Sequence, residues 1–404
     1  MSVPRKSPRL PSNTREAAAA VFSYDLIAEV LSFLPVKSLV QLKSVSKSWN
    51  NIISHPTFIK KHLKRSSQNP QFTLLSFTSV VPISVHRLLE NPSNLITLTN
   101  DRYYWLKYNR VIVGSCNGLL CLLGDSSRKA SNNQNYRIIW FRFWNPSIRT
   151  ISEKLGSFDD FSNLLPCSFH FAFGYDNSTD TYKVVALRDG DGDGEAKVKR
   201  ITVRVFSLGD NVWRDIENFP MVPFNFRCME ENCGIYVSNS LNWLALGGDT
   251  AFDDFYHRIE KFFIVSLDMR KETYTMMLPP HEFDQVPSVK PTISVLMDCL
   301  CFSYDFEKTH FVIWKMTEFG VEKSWAQFLK ISYQTLQTKQ FGFDDVKSLR
   351  PMCLSNGTLI LANKSLKQAV LYNLKDNRVE RTRVNNISCF VFAKNYIESL
   401  VSYC

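Results

Sequence analysis

Hydrophobic residues near the amino-terminal end of the chain follow the spacing of short helices. Between residues 24 and 34 they recur three and four positions apart, as on a helix with one broad apolar face. Pro35 is expected to end this helix, and Ser38 and Ser46 can cap two more. Pro56 breaks the third helix, and a further helical turn or two precedes a polar linker. The apolar positions of the first three helices are Leu26, Ile27, Val30, Leu31, Leu34, Leu39, Leu42, Val45, Trp49, Ile52 and Ile53.

The predicted helical module is too small to be self-contained. Helices of ~10 residues are unstable alone, and a unit of ~45 residues is near the lower limit for independent folding. Its large apolar residues are more than such a bundle can bury. The module therefore either packs against the rest of the chain or offers an apolar face, flanked by Lys37, Lys43 and Lys47, to a partner.

After residue 70 the pattern changes to alternating hydrophobic and polar positions and short apolar runs, which predict β-strands. The strands come in pairs joined by turn residues, as at Asn117-Gly118. The first turns of successive double hairpins fall near residues 117, 177, 239, 298 and 356, so the repeat is about 60 residues long. Each repeat is interpreted as one four-stranded sheet, which is typical of a propeller blade. An array of two-sheet β-sandwiches is the alternative.

Five such units account for residues 110–385. We expect Phe72–Phe77, Val80–Leu89 and the final Ser388–Phe392 to pair as a further blade, which would join the ends of the β-region and remove open sheet edges. The fold class is therefore α+β and multidomain, with a mainly antiparallel, all-β, propeller-like region. The expected domains are a disordered basic tail over 1–21, a helical module over 22–66 and the β-domain over 67–404.

The composition is that of an ordinary folded protein. Of the 404 residues, 45% are hydrophobic and 21% are charged, which excludes a mostly disordered chain, a collagen-like chain and a coiled-coil rod. No apolar run approaches the ~18–20 residues of a membrane span, and no signal peptide is recognised. The ten cysteines are scattered through apolar runs, so we expect buried free thiols. An intracellular protein, in the cytoplasm, the nucleus or both, is expected.

The excess positive charge is concentrated at one end of the chain. The formal net charge is +10, and residues 1–70 hold eleven Lys and Arg against three Asp and Glu, which leaves only +2 for the rest. An acidic protein partner for this segment explains the asymmetry as well as a nucleic acid does. Simple solvation of a helix face is a third explanation. Nucleic-acid binding through the basic tail stays a minor hypothesis, which requires a strong salt dependence.

Motifs that carry chemistry are not recognised in the sequence. Residues 189–195 alternate Asp and Gly like the start of a calcium loop, but Arg200 stands where the bidentate acid is needed, so a flexible acidic loop is expected. The seven histidines lack the spacing of a metal site, and the phosphate-binding loops and the nucleophile elbow are missing. We expect no catalytic residue, metal or cofactor. A propeller enzyme with residues from separate blades stays an alternative.

The helical module resembles a known family. DLIAEVLSFLPVKSLV from Asp25, KSVSKSW from Lys43 and IISHPTF from Ile52 closely resemble the F-box of plant F-box proteins. The resemblance implies binding to the acidic Skp adaptor of a Skp–cullin–F-box ubiquitin ligase and, through it, to cullin and RING subunits. The positions that match adaptor-facing or supporting residues of the motif are Leu26, Ile27, Val30, Leu31, Leu34, Pro35, Val36, Leu39, Val45 and Trp49.

One pair of residues departs from the F-box pattern. The family usually opens with Leu-Pro before the first helix, and here Phe22-Ser23 stands in that place. Phe22 can still fill an apolar pocket, but Ser23 lacks the fixed φ of proline. We expect this departure to lower the affinity for the adaptor. It keeps open a second hypothesis, an F-box scaffold or protein-binding module that acts outside a ubiquitin ligase.

The β-region resembles the plant F-box-associated domain, a kelch-like, propeller-type interaction domain. The matching stretches include SCNGL from Ser115, WNPS from Trp144, FGYD from Phe173 and YIESL from Tyr396. The resemblance implies capture of a target protein for ubiquitination. The matching residues that we interpret as turn and core residues rather than target contacts are Asn117, Gly118, Trp144 and Asn145.

The resemblance as a whole implies a substrate-recognition subunit. Such a subunit makes no bond itself and acts by proximity, because it raises the local concentration of target lysines near the ubiquitin-charged enzyme. The loops at 189–195 and 225–231 are candidates for target contact. The sequence does not indicate which protein the target is.

Overall fold

A computed structural model of the chain describes residues 24–68, 71–75, 79–90, 104–105, 109–129, 135–160, 169–189, 201–224, 234–247, 262–283, 290–336, 349–363, 368–382 and 394–403. Four helices lie at the amino-terminal end, and β-strands account for most of the described residues after them. None of the described helices is long and apolar enough to cross a lipid bilayer.

The four helices form the amino-terminal module: α1 (Tyr24–Leu31), α2 (Val36–Leu42), α3 (Lys47–Ser54) and α4 (Pro56–Ser66). Ser46 caps α3 as predicted, since its hydroxyl accepts a 3.1 Å hydrogen bond from the N–H of Trp49. The prediction that Ser38 caps the second helix is wrong, because α2 begins at Val36, directly after Pro35.

The fourth helix is longer than the turn or two that the sequence predicts. Helix α4 has eleven residues and starts at Pro56. Proline suits this first position because an N–H group there would make no hydrogen bond within the helix, so none is lost. The ring nitrogen Nδ1 of His55, the residue before the helix, accepts a 3.3 Å hydrogen bond from the Thr57 N–H and so caps the helix. Lys64 and Arg65 lie in the last turn, where positive charge interacts favourably with the helix dipole.

The described strands form six antiparallel sheets, numbered as blades 1 to 6. Blade 1 contains β1 (Gln71–Leu75), β2 (Ser79–Ser84), β3 (Tyr104–Trp105) and β26 (Lys394–Tyr396). Blade 2 contains β4 (Asn109–Cys116), β5 (Leu119–Lys129), β6 (Asn135–Asn145), β7 (Thr150–Ile151) and β8 (Leu155–Asp160). Blade 3 contains β9 (Phe169–Asp176), β10 (Thr181–Asp189), β11 (Ile201–Ser207) and β12 (Val212–Phe219).

Blade 4 contains β13 (Val222–Pro223), β14 (Ile235–Val237), β15 (Ser240–Leu246), β16 (Phe262–Asp268) and β17 (Tyr274–Met277). Blade 5 contains β18 (Thr292–Leu296), β19 (Cys299–Phe306), β20 (His310–Met316) and β21 (Trp325–Ser332). Blade 6 contains β22 (Leu349–Ser355), β23 (Thr358–Asn363), β24 (Gln368–Asn373) and β25 (Val379–Arg381). Two short helices, α5 (Val85–Glu90) and α6 (Tyr333–Leu336), follow β2 and β21.

The blades form a closed ring through their innermost strands. Strand β26 contacts β4, and contacts then run from β4 to β9, β9 to β14, β14 to β18, β18 to β22 and from β22 back to β26. Within each blade the other strands pair outward from the innermost one. The propeller-like fold is therefore confirmed, and the array of β-sandwiches is excluded because packed pairs of sheets do not close into a ring.

Blade 1 joins the two ends of the β-domain, as the sequence predicts, but with different strands. The carboxyl-terminal strand is β26, whose Tyr396 pairs with Gln71 of β1. The predicted closing strand Ser388–Phe392 lies outside the described residues. Only the first half of the predicted strand Val80–Leu89 is a strand in the structure, because helix α5 begins at Val85.

The ring has two unlike faces. On one, the turn face, lie the turns between the first and second strands of blades 2 to 6, at residues 117–118, 177–180, 238–239, 297–298 and 356–357. Four of these five turns have two residues, both with positive φ, which is the geometry of tight β-hairpins. Some stretches of chain between strand ends at the opposite, loop face are much longer: eleven residues join β10 to β11 and fifteen join β15 to β16, whereas three join β19 to β20.

Hydrophobic clusters lie between neighbouring blades rather than inside any one of them. Separate clusters join blades 1 and 2, 2 and 3, 3 and 4, 4 and 5, and 5 and 6. Aromatic side chains fill much of this space; for example, the rings of Phe141 and Phe171 meet edge to face, with centroids 5.1 Å apart, between blades 2 and 3. The high aromatic content of the sequence is thus used for packing between blades.

Candidate adaptor-binding surface

The helical module has a compact core to which all four helices contribute. The buried apolar side chains of this core are Leu31, Val36, Leu39, Ile52, Ile53, Phe58 and, from the far end of the chain, Leu400. Three of the predicted adaptor-binding residues, Leu31, Val36 and Leu39, are among them, each no more than 3% exposed. In this structure those three support the module from within and do not lie on its surface.

A second set of apolar residues in the module points outward. We call it the exposed apolar surface, and its members are Tyr24, Leu26, Val30, Phe33, Val40 and Val45. Leu26, Val30 and Phe33 are spaced four and three residues apart along α1 and the turn after it, so they share one face. The six residues are half of the twelve large hydrophobic side chains that are exposed among the described residues. Such a concentration is typical of an interaction site.

The ten residues predicted for adaptor binding divide into three groups in the structure. Leu26, Val30, Pro35 and Val45 are exposed. Ile27, Leu34 and Trp49 are half-buried and pack against the core of the module. Leu31, Val36 and Leu39 are buried. Contact of these ten residues with an adaptor stays a prediction.

Sequence reasoning missed three members of the exposed apolar surface, Tyr24, Phe33 and Val40. Phe33 is the most exposed of them, at 71%. Phe33 follows Leu26 and Val30 at helical spacing, so the sequence could have placed it on the same face of α1 as those two residues. The inner residues Ile27, Leu31 and Leu34 have the same spacing, one position further on, and so α1 is apolar on two sides.

Helix α4 holds the outer face of α1 in place. Lys61 and Arg65 both form ion pairs with Glu29, and Arg65 also donates a 3.0 Å hydrogen bond to the backbone oxygen of Glu29. Hydrogen bonds from Lys61 and Arg65 lower the pKa of the Glu29 carboxyl, so it is ionised at neutral pH. The Arg65 guanidinium lies 3.8 Å from the centre of the Phe33 ring, within cation–π range.

A buried histidine fixes the turn that follows α1. The Nε2 of His62 lies 2.9 Å from the backbone oxygen of Leu34, and because a carbonyl only accepts, Nε2 carries the proton and donates. His62 Nδ1 lies 3.3 Å from the hydroxyl of Ser66. Together with the Glu29 ion pairs, these contacts attach the segment that carries Phe33 and Pro35 to α4.

Positive charge surrounds the exposed apolar surface. Lys37 and Lys47 are exposed, and Lys43 is half-buried, so that burial lowers its pKa. Of the acidic residues in the module, Asp25 and Glu29, the second is already paired with Lys61 and Arg65. Apolar residues with a basic rim fit a partner that is itself apolar at the centre and acidic at the edge.

The candidate target contacts of the β-domain fall almost entirely outside the described residues. Of the loop 189–195 only Asp189 is described, at the end of β10, and the segment 225–231 is not described. Asn117 and Gly118 form a turn and Trp144 and Asn145 are buried, as interpreted from the sequence, and that they do not contact a target stays a prediction.

The described residues do not bring together three or more His, Cys, Asp or Glu side chains that could hold a metal ion. The described cysteines are not joined in disulfides, and all but the half-buried Cys299 are buried; they are Cys116, Cys121, Cys299, Cys301 and Cys353. Burial raises the pKa of the Cys301 and Cys353 thiols to about 12, so they are protonated at neutral pH.

Residues 22–61 match the F-box domain family, so the amino-terminal module is an F-box domain. The chain is similar along nearly its whole length to F-box proteins of Arabidopsis thaliana. It is 27% identical over 396 residues to an F-box/kelch-repeat protein, which covers 94% of each chain. It is 24% identical over 403 residues to the F-box protein CPR1, covering 95% of this chain and 90% of that relative.

Among solved structures, the chain is similar to the β-propeller domain of the Trilobed protease from Pyrococcus furiosus. The TM-score is 0.35 at 9% sequence identity, covering 75% of this chain and 73% of the other. The assignment of the propeller-like fold rests on the closed ring of sheets described above.

Proposed function

We propose that this protein is the substrate-recognition subunit of a Skp–cullin–F-box ubiquitin ligase. The observation that carries the proposal is the exposed apolar surface on a module that matches the F-box family. In the proposal, this surface binds the Skp adaptor and, through it, the cullin and RING subunits. The β-domain is an F-box-associated, kelch-like interaction domain that captures a target protein inside the cell, and this chain catalyses no reaction itself.

The loop face is our candidate for target recognition. The first turns of blades 2 to 6, on the turn face, have two to four residues and offer few side chains, whereas the longest connections between strands, including those that hold the two candidate loops at 189–195 and 225–231, join strand ends at the loop face. Recognition residues are found disproportionately on such loops, because loop length and sequence can vary without disturbing the scaffold.

The adaptor-binding proposal is tested by a pull-down of the purified full chain with the Skp adaptor. Val30→Asp places a charge on the exposed apolar surface, where Val30 is 59% exposed and the core is untouched. Val212→Asp is the matched control, the same change at a valine that is 53% exposed on the β-domain. We expect Val30→Asp to weaken binding at least ~10-fold, the loss typical of a central interface residue, and Val212→Asp to bind like wild type.

Two outcomes would contradict the proposal. Failure of the wild-type chain to bind would make the scaffold outside a ligase the leading interpretation, and would point to the Phe22-Ser23 departure. Equal binding by wild type and Val30→Asp would move the adaptor contact away from this surface. Leu31→Asp is unsuitable for this test, because Leu31 is buried and a charge there would unfold the module.

A further inference from the structure

The carboxyl-terminal segment Ile397–Tyr403 connects the F-box to the β-domain. It leaves β26 at the turn face, next to the start of β1. Leu400 inserts into the core of the F-box and is only 4% exposed. Ile148, in the turn between β6 and β7 of blade 2, packs against the same core. The F-box core is therefore completed by residues more than eighty positions away in the sequence.

The segment is itself fixed to blade 2 by a buried asparagine. The Nδ2 of Asn145 donates to the backbone oxygens of Ser399, at 3.0 Å, and Val401, at 2.8 Å. Its Oδ1 accepts from the hydroxyl of Tyr396, at 3.1 Å. Asn145 and Ser399 are both fully buried, so these bonds have no competition from water.

The turn at 117–118 leaves room for the segment only because it contains a glycine. A Cβ at Gly118 would lie 2.3 Å from the hydroxyl oxygen of Ser399 and 2.5 Å from the backbone oxygen of Ile397. Gly118 also has φ of +77°, a conformation that other residues rarely adopt. The glycine of the sequence motif SCNGL therefore allows the carboxyl-terminal segment to pack against this turn.

A second contact joins the F-box to the ring. Lys60 of α4 forms a 3.1 Å ion pair with Asp180, in the first turn of blade 3. Both side chains are exposed, so the pair contributes little to stability, but it shows that α4 lies beside the turn face of blade 3.

We propose that Ile397–Tyr403 is a positioning element that holds the F-box rigidly on the turn face, over blades 1 to 3. The same ten residues, 394–403, close the ring through β26 and complete the F-box core through Leu400. The F-box and the β-domain consequently behave as one rigid body. As a consequence that rests on the proposed function, a target on the loop face and the adaptor on the F-box are held at a fixed distance and orientation.

The experiment uses the full chain without adaptor, studied by small-angle X-ray scattering and amide hydrogen exchange. Leu400→Glu puts a charge in the joint, and Ile151→Glu is the control, at an isoleucine of blade 2 that is 37% exposed and lies outside the proposed segment. Ile148→Glu attacks the joint from blade 2, at a half-buried side chain outside the F-box sequence, so the helices keep all their own residues.

We expect Leu400→Glu and Ile148→Glu to increase the radius of gyration and to speed exchange in α2 and α3 by at least ~10-fold, which corresponds to about 1.4 kcal/mol. The strands of blades 3 to 6 keep wild-type exchange, and Ile151→Glu resembles wild type throughout. Wild-type dimensions and exchange in both joint variants would overturn the proposal, as would an extended wild-type chain. If Leu400→Glu does not fold, Ile148→Glu decides alone. Adaptor binding by the same samples is measured separately, so failure of the proposed function is distinguishable from failure of the joint.

Discussion

Asn145 offers a sharp test of how the end of the chain is held. The substitution Asn145→Asp keeps the shape of the side chain and the oxygen that accepts from Tyr396 and from the Ser147 N–H, at 2.9 Å. It removes the NH₂ group, which is the donor to the backbone oxygens of Ser399 and Val401. The variant therefore tests the loss of one buried donor group together with the cost of burying a carboxyl group in its place.

The expected loss can be worked from the contacts. The backbone oxygens of buried Ser399 and half-buried Val401 lose their donor, and an unsatisfied buried group costs ~1–3 kcal/mol, so the variant is expected to lose at least ~1–3 kcal/mol of the free energy of unfolding. Burial disfavours the ionised Asp and raises its pKa. Once protonated, the carboxyl can again donate one hydrogen bond.

The sign of the pH dependence comes from this protonation. Because the folded variant binds its proton more tightly than the unfolded chain, the stability of Asn145→Asp relative to wild type rises as the pH is lowered and falls as it is raised above ~4. Urea unfolding at pH 5 and pH 8, followed by tryptophan fluorescence, measures both quantities. Asn211→Asp, the same change in an exposed turn, is the control. A loss no larger than that of the control, or a difference from wild type that does not vary with pH, would refute the reasoning.

Two further predictions concern the ion pairs that Lys183 of blade 3 forms with Asp176 of the same blade and with Glu272 of blade 4. Lys183 is buried, and its Nζ lies 2.8 Å from a carboxylate oxygen of Asp176 and 3.0 Å from one of Glu272. We expect Lys183→Met to lower the free energy of unfolding, measured in urea, by ~3–5 kcal/mol, and the control Lys271→Met, at an exposed position, to change it little. Equal losses in the two variants would contradict this prediction. Burial raises the pKa of Asp176, but hydrogen bonds from Lys183 and Ser178 outweigh it and hold that pKa well below its usual range. The stability that Asp176 contributes is therefore present above ~pH 4 and lost as the pH falls below it; unfolding free energies at pH 6 and pH 3 check this, and no decrease at pH 3 would disprove it.

The parts of the fold that local chemistry specifies could be predicted from the sequence. Asn117-Gly118 and Asn356-Gly357 are tight turns in the structure because asparagine and glycine adopt positive φ more readily than most residues. With the alternation on either side, such turns give the number of repeats and the blade size. Ser46 is a cap for a similarly local reason.

Features that depend on distant parts of the chain could not be predicted. Strand β26 has three residues, Lys394–Tyr396, with no alternation to reveal them, and its partner β1 lies more than three hundred residues away. Leu400 gives no sign in the sequence that it belongs to the core of a helical module at the other end of the chain.

The division of the F-box residues into inner and outer sets has the same cause. Helix α1 is apolar on two sides, and its own sequence does not say which side is covered. The side of α1 that is covered is determined by α4 and by the carboxyl-terminal segment. Phe58 of α4 packs in the core of the module, and Lys61 and Arg65 of α4 form ion pairs with Glu29 of α1. The sequence therefore located the helix correctly but could not separate Leu31, in the core, from Val30, on the surface.

The position of the F-box on the turn face bears on how a target would be presented. Four residues, 67–70, lie between α4 and β1, and a chain of that length can span up to ~14 Å. A joint made of these residues alone would let the F-box sample many orientations, and the effective concentration of target lysines at the ubiquitin-charged enzyme would be spread over all of them. In our proposal the contacts of Leu400 and Ile148 with the F-box core remove that freedom. Since those contacts are all on the turn face, the long connections of the loop face stay free to differ in length and sequence without changing the geometry on which transfer would depend.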